Sequence, residues 1–190
     1  MSPKYPIETE RLLLRPLDPK TDVDAVHAYQ SRPDTVRFVP YEPRDRAAVA
    51  ELLAGPRIRS TLVKPGDVLS LAVVLRDTGA LIGDVVFVWT SDVHRSAELG
   101  YIFHPDHHGH GYATEACRAL LRYAFGEMDL HRVTARIDER NTASAAVLDR
   151  LGMRAEARLV ENEWVKGEWT TELDFAILAP EWNELRPARR

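Results

Sequence analysis

Apolar residues run along this chain in two rhythms, one of period two and one of period three to four. Leu12, Leu13 and Leu14 make a leucine-rich run that Pro16 closes, which predicts a short first strand over residues 11–15. Val23, Ala25, Val26 and Tyr29 predict a helix over residues 22–31. Ala47, Val49, Leu52 and Leu53 predict a second helix, starting after Pro43 and stopped by Gly55-Pro56. From Leu69 the texture becomes β. Residues 69–76 and 81–89 flank Asp77-Thr78-Gly79-Ala80, a connection of hairpin length, and predict an antiparallel pair. Residues 96–103 predict a further strand, with Glu98, Gly100 and Ile102 on one face and Ala97, Leu99, Tyr101 and Phe103 on the other. After a loop at 104–111, the helical spacing of Ala113, Ala116, Cys117, Leu120, Leu121 and Ala124 predicts a helix to residue 127. A strand at 132–137 follows, then a helix at 143–151 capped by Asn141 and ended by Gly152, then strands at about 154–162 and 170–178.

The order is strand, two helices, three strands, helix, strand, helix, two strands: a mixed α/β (α+β) fold. The strand-helix-strand unit at 96–137 calls for one parallel pairing inside an otherwise antiparallel sheet. No repeat or linker divides the chain, so residues 1–190 read as a single domain, which a length of 190 residues fits. A hydrophobic fraction of 45% with 28% charged residues belongs to a folded globular protein. The net charge of −4 disfavours nucleic acid as a partner and permits a basic amine or peptide. The one cysteine, Cys117, allows no internal disulfide, and no apolar run reaches signal-peptide or membrane-spanning length. The expectation is a cytoplasmic protein with no membrane partner.

Candidate chemistry concentrates in two segments. In His107-His108-Gly109-His110-Gly111-Tyr112-Ala113-Thr114-Glu115-Ala116, the glycines let the backbone turn and approach a ligand closely, and the unpaired amides of the next helix point into the same space. That combination makes an anion site suited to a pyrophosphate, although glycines in a tight loop can also serve the turn alone. The second segment runs from Asn141 through Ser144 to Leu151-Gly152, and the plainest role of Asn141 is to cap its helix. Both segments in this order, about thirty residues apart with one strand between, form a far less accidental pattern than either alone.

With Ala97-Glu98-Leu99-Gly100-Tyr101 added, the chain resembles the Gcn5-related N-acetyltransferases, specifically the branch holding the ribosomal-protein N-terminal acetyltransferases, from Glu10-Arg11-Leu12 to Glu181-Trp182. The resemblance implies a sheet splayed between strands 96–103 and 132–137, with acetyl-CoA in the splay. Backbone groups of Ile102, Phe103 and His104 would pair with the pantetheine arm. Backbone amides of Gly109, His110, Gly111, Tyr112, Ala113 and Thr114, beside His108, would hold the pyrophosphate. Asn141 and Ser144 would face the thiol. The branch also implies a homodimer. Two positions depart from the family. His108 stands where the family often has Arg or Gln, in this branch sometimes an aromatic, and His110 where it has Lys or Arg, which weakens fixed positive charge at the phosphates and leaves the backbone cradle intact. Leu148 stands where many have a Tyr that protonates the leaving thiolate, and Ser144 is the substitute donor.

Attack on a thioester needs a neutral amine, and Glu98 is the candidate general base, with a surface salt bridge as its ordinary alternative. An oxyanion donor is expected from the backbone near Ile102. The resemblance implies an amine acceptor, either a protein N-terminal α-amine or a small-molecule amine or antibiotic. Two other classes compete. Four histidines between 104 and 110 invite a metal, but their crowding and the absence of cysteine partners give no usual four-ligand site, so none is expected. A non-catalytic acetyl-CoA-binding module would explain Leu148. Trp89, Trp164 and Trp169 are expected to serve packing rather than an acceptor groove.

Overall fold

In the computed structural model, which describes residues 3–56, 58 and 60–185, eight strands form one sheet in the order β1-β2-β3-β4-β5-β6-β8-β7. The strands are β1 (Ile7–Glu8), β2 (Leu12–Pro16), β3 (Val68–Leu75), β4 (Leu81–Ser91), β5 (Ser96–Phe103), β6 (Arg132–Asp138), β7 (Arg154–Val165) and β8 (Glu168–Leu178). Five α-helices accompany them: α1 (Val23–Gln30), α2 (Arg46–Ala54), α3 (Tyr112–Gly126), α4 (Thr142–Arg150) and α5 (Ala179–Leu185). All neighbours pair antiparallel except β5 and β6, which α3 joins by the expected crossover. Residues 1, 2, 57, 59 and 186–190 of the expected single domain lie outside the described residues.

Two apolar cores follow from the alternation along the strands. On one face Leu12, Leu14, Leu71, Val73, Phe87 and Leu99 meet the apolar stripe of α3, including Ala116, Leu120 and Leu121. On the other, Ala72 and Val74 meet Val26, Tyr29, Val49 and Leu53 of α1 and α2. Leu148 is fully buried in the first core.

Several element ends have visible causes. Asp45 caps α2 by accepting from the Ala48 N–H at 2.8 Å. Asp22 precedes α1 without capping it, because its carboxylate is taken by Arg15 at 2.6 Å and by the Asp18 N–H at 2.7 Å. Gly152 ends α4 with φ +81°. The last hairpin is longer than expected: Lys166 and Gly167, with φ of 51° and 85°, make a two-residue turn, so β7 and β8 extend to meet it. Strand β1 and helix α5 were not anticipated. Trp89 is buried, whereas Trp164 and Trp169 face each other across that hairpin with ring centroids 5.4 Å apart and stay largely exposed.

Candidate active site

β5 and β6 pair over only three positions, Ser96 with Arg132, Ala97 with Val133 and Glu98 with Thr134. Beyond Glu98 the two strands part, which is the splay. Register decides which backbone groups open into it. The His104 N–H donates to the Ile82 carbonyl at 2.8 Å, and Ile102 lies opposite Asp84 in unbroken antiparallel register. By alternation the even-numbered residues of β5 bond to β4, and Tyr101 and Phe103 turn their N–H and C=O groups toward the splay. Of the three residues expected to pair with the donor's arm, Phe103 opens its backbone groups to the splay, whereas Ile102 and His104 turn theirs toward β4, because the strand period is two; Tyr101 shares the open phase. Gly83 lets β4 approach at this level: a Cβ there would lie 2.5 Å from the Ile102 carbonyl oxygen.

A cavity of about 1020 Å³ opens from the splay along β5, the 104–111 loop, the start of α3 and the outer face of α4. Gly109 and Gly111 take φ of 79° and 78°, and every N–H from residue 109 to 114 lacks an acceptor among the described residues. Those amides, with the N-terminus of α3 behind them, fit a pyrophosphate. The Thr114 hydroxyl is buried in the same wall without a hydrogen-bond partner, an orphan that a phosphate oxygen would satisfy.

Positive charge at the cradle comes from an unexpected quarter. Arg11, beside β2, bonds Glu115 through Nε at 2.7 Å, donates through Nη1 to the His110 carbonyl at 3.0 Å, and lies 4.6 Å from the Tyr112 ring centroid. Glu115 also accepts from the Thr9 hydroxyl at 2.6 Å, and these donors hold its carboxyl below the ordinary value against the opposing effect of burial. The histidines bind the loop to itself: His108 Nε2 lies 3.0 Å from the Phe103 carbonyl oxygen, His104 Nδ1 accepts from the Asp106 N–H at 3.2 Å, and His110 stacks on Tyr112.

Asn141 does cap α4, its side chain accepting from the Ser144 N–H at 3.1 Å. Asn141 and Ser144 both line the cavity. Tyr101, whose importance the sequence did not reveal, donates its hydroxyl to the Ser144 carbonyl at 3.1 Å and so ties β5 to α4 across the splay. Burial pushes its pKa up.

Glu98 is not in this cavity. It lines a second, of about 210 Å³, with Arg136, Asp138, Glu163 and Glu172, and Phe38 forms a wall of both. Glu98 lies 3.3 Å from Arg136, whose guanidinium is also 3.8 Å from Glu172. Burial first, and then the neighbouring Glu163 and Asp174, raise the Glu172 pKa.

The comparisons with known proteins agree with this geometry. A family model described as an acetyltransferase (GNAT) domain matches residues 11–154. An uncharacterized N-acetyltransferase of Bacillus subtilis, YnaD, is 34% identical over 180 residues, covering 93% of this chain and 99% of its own. The spermidine N(1)-acetyltransferase of Escherichia coli is 25% identical over 164 residues, 86% of this chain and 84% of its own. A GNAT-family acetyltransferase structure from Bacillus anthracis superposes with a TM-score of 0.81 at 31% identity, covering 91% of this chain and 98% of that one. With its splayed sheet, amide cradle and matching family model, the chain belongs to the GNAT acetyltransferases, which transfer an acetyl group from acetyl-CoA to an amine.

Proposed function

We infer that the protein acetylates a small cationic primary amine, with the donor in the larger cavity and the acceptor entering through the smaller. The observation that carries this reading is the meeting of the two cavities at Phe38, beside the point where β5 and β6 separate. Acetyl-CoA supplies a thioester carbonyl open to attack. Open backbone groups of Tyr101 and Phe103 hold the donor's arm as an added strand, and the Tyr101 N–H is the oxyanion donor. The Ser144 hydroxyl faces the leaving sulfur, the task that Leu148 in the core does not perform. Glu98 accepts the amine's proton from the acceptor side.

Asp84, whose pKa burial pushes up to about 6, lines neither cavity and is closed off by Tyr29. Position outranks pKa for a base. The acceptor class rests on the second cavity, whose lining sets the five carboxylates of Glu98, Asp138, Glu163, Glu168 and Glu172 against the four cations of Arg37, Arg136, Arg140 and Lys166, and on the spermidine acetyltransferase among the relatives. A cytoplasmic homodimer belongs to the same reading. Its support is the outer strand β7, exposed along nearly all of its length with Val160 and Trp164 outward, and a lone cysteine buried in the core. Sedimentation velocity reports the dimer directly.

The test is CoA release from acetyl-CoA with polyamines, aminoglycosides and peptides of different first residues, repeated for Glu98→Gln. Polyamines should turn over fastest. Glu98→Gln should lose more rate at pH 7 than at pH 9, where more amine is already neutral, with acetyl-CoA affinity unchanged. Equal losses at both pH values, tracking a loss of thermal stability, would leave Glu98 a structural partner of Arg136.

A further inference from the structure

A carboxylate stands beside the amides that suit a pyrophosphate. Glu115, in the first turn of α3, lines the larger cavity together with Gly109, Gly111 and Thr114. Burial works against its ionisation, yet the donors around it hold its carboxyl below the ordinary value. An ionised carboxylate at this place should repel a bound phosphate. Its bonding suggests what it is kept for. The Thr9 hydroxyl donates to it at 2.6 Å, the Arg11 backbone N–H at 2.9 Å, and Nε of the Arg11 guanidinium at 2.7 Å, with Nη2 at 2.6 Å. Thr9 and Arg11 belong to the turn between β1 and β2, which closes on itself where the Thr9 N–H donates to the Leu12 carbonyl at 2.9 Å. A turn from the edge of the sheet thus grips the start of α3, more than a hundred positions away in the chain.

With Nε and Nη2 engaged by Glu115, the remaining nitrogen of the fork, Nη1, reaches the His110 carbonyl at 3.0 Å. In a trans peptide the carbonyl and the following N–H point in opposite directions. A His110 carbonyl drawn to Arg11 therefore turns the Gly111 N–H away from the guanidinium and toward the cavity. We propose that Glu115 and Arg11 are positioning residues for the donor: the carboxylate aims the guanidinium, the guanidinium fixes the His110–Gly111 peptide, and the Gly111 N–H is presented to the pyrophosphate in advance. This role rests on the donor reading above. The competing role is local to each residue, with Glu115 offsetting the dipole at the start of α3 and Arg11 supplying bare positive charge.

The two roles predict opposite signs when coenzyme A is titrated calorimetrically into the native protein, Glu115→Gln, Arg11→Gln, Arg11→Lys and the Glu115→Gln/Arg11→Gln double variant. A carboxylate serving only the helix dipole repels the phosphates, so its removal should tighten binding. A carboxylate that aims Arg11 should instead weaken binding about tenfold when neutralised, the size of a charge-assisted hydrogen bond. Arg11→Gln should lose at least as much, and the double variant no more than Arg11→Gln alone, because both residues act through one fork. Arg11→Lys keeps the charge but not the fork and should recover little. Thr9→Val, which strips one donor from Glu115 and leaves the ion pair, should lose a smaller factor and serves if Glu115→Gln does not fold. Turnover of acetyl-CoA against acetyl-pantetheine, which has the thioester without the pyrophosphate, separates positioning from general damage: the variants should lose much of the advantage of acetyl-CoA. Tighter or unchanged binding in Glu115→Gln, additive losses in the double variant, full recovery in Arg11→Lys, or equal losses with both donors would overturn the positioning role and leave the donor reading intact. Failure of the native protein to bind coenzyme A would overturn the donor reading itself.

Discussion

Asp84 stands in the middle of β4 with its side chain on the face covered by α1, where the Tyr29 hydroxyl donates to it at 2.5 Å. Gln30 also bonds it, and Arg44, near the Tyr41 ring, reaches Gln30 at 2.6 Å. Burial dominates these partners and lifts its pKa from 3.8 to about 6. A carboxyl raised in the folded state holds its proton longer than in the unfolded chain. Its contribution to stability is therefore greatest below the unfolded value and is lost as pH rises from about 4 to about 6, by roughly 3 kcal/mol. Asp22, Asp138 and Glu115, whose values are lowered, act with the opposite sign at more acid pH. Denaturant titrations of the native protein and Asp84→Asn between pH 4 and pH 8 isolate the one residue by difference. The variant should lack the fall across pH 4–6 and be the more stable of the two at pH 8, and parallel profiles would show that the buried carboxyl keeps an ordinary value. Nothing in the sequence announces this site. Gly83-Asp84 interrupts an apolar run as a turn would, and only the fold brings Tyr29, fifty-five positions away, onto the carboxylate.

The loop that opens α3 was far more legible, because a cradle of backbone amides is written in glycine positions and helix starts, which are local. At Gly111 the backbone conformation decides what a substitution costs. Within the protein, a Cβ on Gly111 would meet only the Arg11 guanidinium, at 3.6 Å, so the fold itself leaves room for a side chain there. The cost lies in φ of 78°, which L residues other than Asn and Asp adopt at about 1–2 kcal/mol. Coenzyme A affinity should therefore fall in the order Gly, Asn, Ala, Val at this position, with Asn nearest the native protein. An Asn variant as weak as Val would restore steric blocking as the cause. The phase of β5 was not legible at this level. Which of Ile102 and Tyr101 opens its backbone to the splay depends on register with β4, and register is a property of two strands rather than one. The same limit hid the full length of β7 and β8, whose Lys166-Gly167 turn lacks the usual Asn-Gly signal.

Seen whole, the molecule is two part-sheets, β1 to β5 and β6, β8 and β7, which hydrogen-bond to each other over three residue pairs. The element order that dictates this was visible in the chain as strand, helix, strand with parallel sense. How soon the strands part was not, since it depends on how α3 and α4 seat on the sheet. The proposed donor contacts fall on both sides of the gap: Tyr101 and Phe103 belong to the first part, and the start of α4, with Asn141 and Ser144, follows β6 of the second. In the free protein the short parallel ladder, the cores, the Tyr101–Ser144 bond and the Glu98–Arg136 ion pair are among the links that span the division. A donor seated in the splay would add a bridge, stabilising the fold by roughly 3–4 kcal/mol at a hundred- to thousandfold excess over its Kd. Amide hydrogen exchange locates that gain. Acetyl-CoA should slow exchange at Tyr101 and Phe103 and in the first turn of α4, together with the amides of residues 109–114. Protection confined to 109–114 would mean that the phosphates are held but the arm does not enter the splay, and the catalytic geometry assigned to Glu98, Tyr101 and Ser144 would then fall with it.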